Sequence, residues 1–226
     1  MTASQDRVIW MRPAPSGLGR PARHSREEIT AAAITLADAA GLDAVSMRRV
    51  AAELGTGAAS LYRYVDTRED LLDLMTDATA AEYERPAPTG DWLADLVGLG
   101  EQVRAIMRRH PWLPALALAR PVLGPATIAV LEHAMEIMAP CPAPPQAKAE
   151  AFAMLNSVTT TFVAHELAGG AAATRRMAGY LQHVLAAGRY PRLAELLGPP
   201  GPPPPDPADR YPEIMRRILA GLLDTA

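Results

Sequence analysis

The sequence predicts an all-α protein, and three of its features support this prediction. Apolar residues make up 49% of the 226-residue chain but aromatic residues only 5%, so a core would be built mainly from Ala, Leu, Val and Met. Ala and Leu are strong helix formers. No segment alternates Val, Ile and Thr with polar residues as a half-exposed strand would. Apolar residues recur instead at the three- and four-residue spacing of helices.

The first predicted helix follows an irregular segment. Residues 1–24 are rich in Pro and Gly and show no periodicity, so we expect a mobile arm there. Ser25 then begins a helix, because Glu28 three residues later completes a capping box. Gly41 is placed to end this helix. One apolar face runs along it, formed by Ile29, Ala33, Leu36 and Ala40.

The following segment, residues 46–68, reads SMRRVAAELGTGAASLYRYVDTR. Ser46 is a suitable N-cap for a second helix, and Gly55-Thr56-Gly57 separates that helix from a short third one over Ala58 to Tyr64. This is the pattern of a helix-turn-helix, in which one helix packs on the protein and the next is presented to a DNA groove. A fourth helix is predicted from Thr67, with Asp70 as its capping partner.

The remaining chain also has helical periodicity. After PAPTG at residues 86–90, helices are predicted at 91–109, 112–119, 124–138, 146–168 and 172–187, with a turn or two near 191–197. Residues 198–207, GPPGPPPPDP, cannot form a helix interior because proline has no backbone N–H to donate. We expect a stiff exposed loop there and a last helix over 209–223.

Composition excludes several classes of protein. The single cysteine, Cys141, rules out an internal disulfide framework and a multi-cysteine metal site. No apolar run approaches the roughly 18 residues that cross a bilayer. The N-terminus lacks the continuous apolar stretch of a secretory signal. We therefore expect a soluble cytoplasmic protein with no membrane contact.

No catalytic motif is recognisable, whether H-E-x-x-H, G-x-S-x-G or a glycine-rich phosphate loop. A lone histidine in an apolar helix is usually a hydrogen-bonded core residue. The five histidines are scattered, and none lies four residues from another: His24, His110, His133, His165 and His183. We expect no enzymatic activity, no metal and no cofactor.

The net charge of −3 is unevenly distributed. Between residues 7 and 26 the chain has no acidic residue but has Arg7, Arg12, Arg20, Arg23 and Arg26. A basic arm beside a helix-turn-helix can supply phosphate contacts even when the whole chain is acidic. The arm could therefore follow a DNA backbone or minor groove, or it could be a solubilising tail, and both interpretations remain open.

Over residues 25–75 the chain resembles the TetR (tetracycline-repressor-like) regulators. The resemblance is carried by Ile29, Ala33, Gly41-Leu42, Ser46-Met47-Arg48, Ala51-x-x-Leu54-Gly55, Ser60-Leu61-Tyr62-Arg63-Tyr64-Val65 and Glu69-x-Leu71. Two later segments, HPWL at 110–113 and RPVLGP at 120–125, resemble the C-terminal domain of the tetracycline-repressor branch. The resemblance implies a homodimer that reads a palindromic operator in double-stranded DNA and is released by a small-molecule effector, whose identity the sequence does not reveal.

The resemblance also implies a domain division and a set of DNA contacts. The divisions are an arginine-containing arm over residues 1–24, a DNA-binding head over 25–70, and an effector-binding and dimerisation domain over 71–226. The start of the second helix, the third helix and the start of the fourth contact DNA in such proteins. Here those positions hold Ser46, Met47, Arg48, Ala58, Ala59, Ser60, Tyr62, Arg63, Tyr64 and Arg68.

These ten residues are expected to make different kinds of contact with DNA. Arg48 is the candidate for a bidentate contact to guanine, or else a phosphate clamp or a solvated side chain. Ser60 and Tyr62 are expected on phosphates, although Tyr62 could instead pack on the first helix. Arg68 replaces the lysine of many relatives and keeps its charge for a phosphate. The methyl side chains of Ala58 and Ala59 can make at most an apolar contact with the methyl group of a thymine.

The helix over 150–168 is apolar on two roughly opposite faces, so it should be buried on two sides. In the family one side would line a ligand cavity and the other would meet the partner, although a central helix of a monomeric bundle fits the pattern too. Its Asn and Thr side chains favour a pocket of mixed polarity. The predicted pocket comprises Met107, Trp112, Leu116, Met138, Phe152, Asn156, Thr159, Phe162 and His165.

The last helix supports dimerisation, because its apolar stripe is wider than one neighbour requires: Ile214, Met215, Ile218, Leu219, Leu222 and Leu223. The sequence thus predicts a ligand-controlled DNA-binding repressor. Two alternatives remain: a helical small-molecule binder or enzyme with a structural helix-turn-helix, and a DNA-binding activator or effector-independent nucleoid-type protein.

Overall fold

The computed structural model describes residues 8–12, 24–168, 171–197 and 207–223, and within them every regular element is a helix. The bounds are α1 Arg26–Ala40, α2 Met47–Glu53, α3 Ala58–Leu61, α4 Arg68–Ala80, α5 Trp92–Arg109, α6 Leu113–Ala119, α7 Pro125–Ile137, α8 Pro145–Ala168, α9 Ala171–Ala186, α10 Pro191–Leu197 and α11 Pro207–Leu223. The all-α prediction is confirmed.

The helix starts predicted in the N-terminal third are confirmed in detail. Ser25 and Glu28 form the capping box of α1, and Gly41 ends that helix with a φ of 79°. Thr67 and Asp70 form the same reciprocal pair at α4. The Ser46 hydroxyl accepts the Arg49 N–H at the start of α2. Each cap satisfies backbone donors that have no partner inside the helix.

Several boundaries differ from the prediction. Helix α3 ends at Leu61 rather than Tyr64. The turn or two predicted near 191–197 is present as the seven-residue helix α10. Helix α11 begins at Pro207, ahead of the predicted Asp209. The loop predicted over 198–207 falls, apart from Pro207, outside the described residues.

The prediction of a mobile arm over residues 1–24 is wrong for residues 8–12. Ile9–Met11 form a turn of 3₁₀ helix, and Ile9 is only 1% exposed. The Arg26 guanidinium holds this turn by donating from Nη1 to the carbonyls of Ile9 and Arg12, 3.3 and 3.2 Å away. An apolar anchor and two charge-assisted hydrogen bonds outweigh the lack of helical periodicity there.

The first four helices form a small head. Helix α1 packs against α2 and α4, and α2 packs against α3. The core between them includes the fully buried Ile29, Val50, Leu61, Val65 and Leu71. Spacings of three and four residues bring these side chains inward, as the sequence predicts.

Helix α4 continues from the head into the larger domain. It packs against α1 in the head and against α5, α6 and α7 beyond it. The larger domain is centred on α5, α8 and α11, which pack on one another. None of the helices in the described part of the chain has both the length and the apolar character needed to cross a membrane.

A polar cluster joins α5, α8 and α11. The buried Arg104 guanidinium is paired with Glu166 and lies 4.9 Å from the ring centre of Tyr211 and 5.5 Å from that of Phe162. Burial would raise the pKa of Glu166, but hydrogen bonds from Arg104 and Arg108 outweigh burial and lower it. The cluster therefore holds paired charges inside an otherwise apolar packing.

Candidate DNA-binding surface and effector cavity

A tight turn between α2 and α3 sets the angle of the candidate recognition helix. Gly55 has a φ of 62°, a left-handed conformation that favours glycine over other residues. The Thr56 N–H donates to the Ala51 carbonyl at 2.9 Å and closes the end of α2. Leu61 and Val65, both 0% exposed, then hold α3 against the head. Anchored on one side, α3 presents its other side to solvent.

The surface formed by α2 and α3 is polar and accessible. Arg48, Ala59 and Arg63 are exposed, and Tyr62 is 50% exposed. Within this surface the Arg63 guanidinium lies near the Ser60 hydroxyl, at 3.5 Å. Arginine and tyrosine side chains that reach into solvent can meet phosphates and base edges.

Four of the predicted DNA-contact residues have structural roles in the head. Met47 and Tyr64 are 6% and 5% exposed, so their side chains belong to the head core. Both lie three residues from a core position, Val50 and Leu61, and this spacing already indicated burial. The Ser46 hydroxyl caps α2 by accepting from Arg49 N at 3.3 Å, and this bond leaves its own O–H able to donate.

Arg68 is the fourth of these residues. Its Nε donates to the Val45 carbonyl at 3.0 Å and its Nη2 to the Leu42 carbonyl at 3.2 Å. These bonds tie the start of α4 to the loop between α1 and α2. Two of the five guanidinium N–H donors therefore help to hold the head together, which the sequence did not indicate because the acceptors lie more than twenty residues away.

Two arginines near the N-terminus, Arg12 and Arg26, also form hydrogen bonds within the head. Arg12 donates to Asp66 at 3.0 Å and to Asp70 at 2.7 Å. The hydrogen bond to Asp70 raises the pKa of Arg12, with burial partly opposing it. Arg26 donates from Nε to the Tyr64 carbonyl at 2.9 Å. Arg7, Arg20 and Arg23 lie outside the described residues.

The larger domain contains a cavity of about 490 Å³, within the range of small-molecule sites. Its walls come from α4, α5, α6, α7 and α8 and from the chain between α6 and α7. Most lining side chains are apolar, and two of them, Leu118 and Leu123, are 59% and 68% exposed. The cavity is therefore open to solvent past an apolar rim.

Three of the nine predicted pocket residues line this cavity: Met107, Phe152 and Asn156. The other six do not. Leu116 and Met138 are buried in helix packing, and His165 is exposed on the outside of α8. Thr159 bonds to the Tyr211 hydroxyl at 2.6 Å, and Phe162 packs edge-on against the Tyr211 ring. The cavity face of α8 thus carries Asn156, and the opposite face meets α11.

Trp112 is the sixth predicted pocket residue that does not line the cavity. It lies at the junction between the head and the larger domain. Its Nε1 donates to Asp38 of α1 at 2.7 Å. The neighbouring His110 has one ring nitrogen 2.8 Å from Asp38 and the other 2.8 Å from Glu82. Burial would raise the pKa of Glu82, but hydrogen bonds from Arg109 and His110 outweigh burial and lower it.

A second junction involves Trp10 and the start of α7. Asp77 of α4 accepts the backbone N–H groups of Ala126 and Thr127, at 3.2 and 2.9 Å. A side chain at Gly124 would overlap both the Asp77 carboxylate and the Trp10 ring. The turn at residues 8–12 therefore touches the larger domain as well as the head.

The sequence prediction missed several lining residues, including Tyr83, Arg120, Thr127 and Thr160. Tyr83 bonds to Nδ1 of His133 at 2.8 Å, and burial, followed by the negative charge of Asp95, raises the pKa of Tyr83 to about 12. For Arg120 the sequence does contain a signal, because the RPVLGP segment resembles the C-terminal domain of the tetracycline-repressor branch.

The similarity to known proteins covers both parts of the chain. Residues 29–75 match the family described as bacterial regulatory proteins, tetR family, and residues 85–226 match the tetracyclin repressor-like C-terminal domain. The HTH-type transcriptional repressor DrrR1 of Streptomyces coeruleorubidus is 37% identical over 194 residues, which are 78% of this chain and 72% of that protein.

Solved structures show the same architecture. ActR from Streptomyces coelicolor in its apo form has a TM-score of 0.79 and 31% identity over 89% of this chain and 95% of that one. ActR in complex with actinorhodin has a TM-score of 0.77 and 31% identity over 88% and 95% of the two chains.

Proposed function

Because the chain belongs to the TetR family of bacterial regulators, we propose that it is a homodimeric repressor whose operator affinity is controlled by a small molecule bound among α4 to α8. The observation that carries the proposal is the continuity of α4. Its first turn is bonded to the head through Arg68, and its later turns place Thr76, Thr79 and Ala80 in the cavity wall.

Occupation of the cavity would act on the head through this helix. A ligand that favours one position of α4 over another shifts the equilibrium between head arrangements by its difference in affinity for the two. The larger domain has two further contacts to the N-terminal part of the chain, one between Trp112 and Asp38 and one between Gly124 and Trp10. The ligand-bound ActR structure supports the assignment of the cavity to an effector.

Operator contact would be made by the exposed side chains of α2 and α3. Arg48 is the proposed base-reading residue, and Tyr62 and Arg63 are the proposed phosphate contacts. Ala58 and Ala59 add only small apolar surface. Arg68, Ser46, Met47 and Tyr64 support this surface from inside the head.

Dimerisation is proposed through α8 and α11. Of the apolar stripe on α11, Met215, Leu219 and Leu223 are buried within the chain, whereas Leu222 is 39% exposed. On α8, Met154 is 43% exposed. An apolar surface left on two adjacent packed helices favours a four-helix interface about a twofold axis.

Such a dimer would set two heads about 34–36 Å apart, the distance between successive major grooves. Binding to chromosomal DNA places the proposed site of action in the cytoplasm. The proposal assigns no catalytic step to the chain. An activator remains the alternative, since activators and repressors share the same DNA-binding geometry.

The test is selection of fragments from sheared genomic DNA by the immobilised full-length protein, followed by footprinting. We expect enrichment of a palindromic site, with two protected half-sites one helical turn apart, and a dimer by light scattering. Retention of DNA without sequence preference, or a monomer at micromolar concentration, would contradict the proposal. A footprint upstream of a promoter that raises transcription would favour the activator.

A further inference from the structure

His110 is a buried histidine at the point where the head meets the larger domain. It follows the last residue of α5 and is 7% exposed. Its Nδ1 lies 2.8 Å from Oδ1 of Asp38, which is in the last turn of α1. Its Nε2 lies 2.8 Å from Oε1 of Glu82, two residues beyond the end of α4. The three residues form a bridge, the His110 bridge, between the ends of three helices.

Both oxygens that face the ring already act as hydrogen-bond acceptors or belong to an ionised group. Oδ1 of Asp38 also accepts from Nε1 of Trp112 at 2.7 Å. Oε2 of Glu82 accepts from Nε and Nη2 of Arg109 at 3.2 and 2.6 Å. Burial opposes ionisation of Glu82, but the hydrogen bonds from Arg109 and His110 outweigh burial and lower its pKa.

The ring must therefore donate on both sides to complete the His110 bridge. A carboxylate oxygen can only accept, and only the doubly protonated imidazolium has a hydrogen on each nitrogen. In the neutral ring one nitrogen has a lone pair instead. That lone pair would face a carboxylate oxygen at 2.8 Å, on the Asp38 side or on the Glu82 side.

The helix ends favour the same protonated form. The C-terminus of a helix carries a partial negative charge from its unpaired carbonyls, which a nearby cation stabilises. Neither α1 nor α4 has a basic residue in its last turn. The charged groups bonded at this site are Asp38, Glu82 and Arg109, of which only Arg109 opposes a second positive charge, and Arg109 is itself paired with Glu82.

We propose that the His110 bridge is a proton-dependent link between the head and the larger domain. With a hydrogen on each ring nitrogen, His110 ties α1 of the head to the end of α4 and to α5. Loss of one hydrogen removes one of the two bonds. Since folding gives the protonated ring two carboxylate partners, the stabilisation is present while the ring is protonated and is lost as pH rises.

The link acts on the helix that the head and the cavity share. Thr79 and Ala80, in the last turn of α4, lie in the cavity wall just before Glu82. Protonation of His110 would therefore bias the position of the head on α4 without any effector. The inference goes beyond the proposed function, and its tests use neither DNA nor an effector, so its failure would leave the repressor proposal intact.

The first test observes the ring nitrogens of the full-length protein labelled with ¹⁵N-histidine. In long-range ¹H–¹⁵N spectra the two nitrogens resonate close together when both carry hydrogen and far apart when one has a lone pair. His110 is identified by its contacts with the Trp112 ring, whose centre lies 5.7 Å away. We expect two hydrogens on His110 at about pH 6 and one at about pH 9. A neutral ring at the lower pH, or two hydrogens at both, would overturn the inference.

The second test measures amide hydrogen exchange in the last turn of α1 at the same two pH values, by mass spectrometry, with correction for the intrinsic exchange rate. Protection of residues 37–40 should fall about fivefold at the higher pH, because one hydrogen bond is lost. His110→Gln, which cannot titrate, should show no such fall. His183→Gln is the matched control, because His183 is exposed on α9, and it should behave as the wild type.

Glu82→Gln distinguishes the bridge from other effects of pH. The amide of a glutamine can donate to the lone pair of a neutral ring, while Nδ1 still donates to Asp38. The bridge should then persist at the higher pH, and protection of residues 37–40 should no longer fall. A fall as large as that of the wild type in Glu82→Gln or in His110→Gln would overturn the inference, since pH would then act through other groups.

Discussion

The surface of α2 and α3 exposes its polar side chains, whereas the cavity of the larger domain turns its hydroxyl groups inward. On α2 and α3, Arg48, Tyr62 and Arg63 extend into solvent. In the cavity, the hydroxyls of residues such as Thr160 and Tyr83 are directed back into the protein. The first arrangement exposes charge and donors, and the second satisfies its hydroxyl groups inside an apolar enclosure.

The difference has energetic consequences. Exposed arginines act through counterion release and depend on salt. Cavity groups act after desolvation, so each unmatched polar atom there is costly. Two tyrosines illustrate the contrast: Tyr62 is 50% exposed and Tyr83 is 7% exposed. We therefore expect substitutions in the two regions to affect different measurements.

The largest effect is expected for Arg48→Ala. Loss of a bidentate base contact should weaken binding to the selected operator by about 1–3 kcal/mol, while binding to unrelated DNA changes little. Fluorescence anisotropy with the two DNAs at fixed salt measures this difference.

The matched control is Arg49→Ala, an exposed neighbour on the same helix. It should lower binding to both DNAs by similar factors and preserve their ratio. If Arg49→Ala reduces the ratio and Arg48→Ala does not, the base-reading role belongs to Arg49.

Filling the cavity should separate ligand binding from DNA binding. Ala153 lines the cavity on α8, and Ala153→Phe should weaken uptake of the apolar dye anilinonaphthalene sulfonate at least about tenfold. Operator affinity should be unchanged. Ala105→Phe is the control, because Ala105 is exposed on α5 and does not line the cavity. Unchanged dye binding in Ala153→Phe would contradict the assignment of the cavity.

The junction between the two regions can be weakened with Trp112→Phe. This change removes the Nε1 donor to Asp38 and keeps most of the ring packing, so the free energy of unfolding should fall by about 1 kcal/mol. Urea denaturation measures the loss. Trp92→Phe, at the opposite end of α5, makes the same chemical change away from the junction. An equal loss in both variants would show that the bond to Asp38 contributes nothing specific.

The smallest effect concerns alkaline pH. Burial raises the pKa of Tyr83 from 10.0 to about 12. The neutral phenol therefore contributes stability that is fully present below pH 10 and is lost as pH rises toward about 12. The stability of the wild type relative to Tyr83→Phe should therefore fall progressively over that interval. A constant difference in urea titrations would show that Tyr83 is not desolvated.

Prediction from sequence succeeded best where the determining contacts are local. The capping pairs Ser25–Glu28 and Thr67–Asp70 lie three residues apart, so the sequence alone identified both helix starts. The order of the N-terminal helices and the turn at Gly55 followed from the same kind of signal.

Prediction failed where a side chain had a distant partner. For Arg68 the sequence analysis missed the bonds to two carbonyls in the loop between α1 and α2. Trp112 was assigned to the pocket, but its N–H reaches Asp38 in the head. Residues 8–12 lack periodicity, yet Arg26 and the buried Ile9 hold them in place.

The sequence by itself determined the helical class and the helix-turn-helix, because helix periodicity, caps and turns depend on neighbours within about four residues. Only the tertiary structure decided which face of α8 lines the cavity and which groups surround it. The wall draws on side chains from Thr76 to Thr160, carried by five helices and by segments between them. Their hydrogen-bond directions depend on partners such as His133, which only packing brings beside Tyr83.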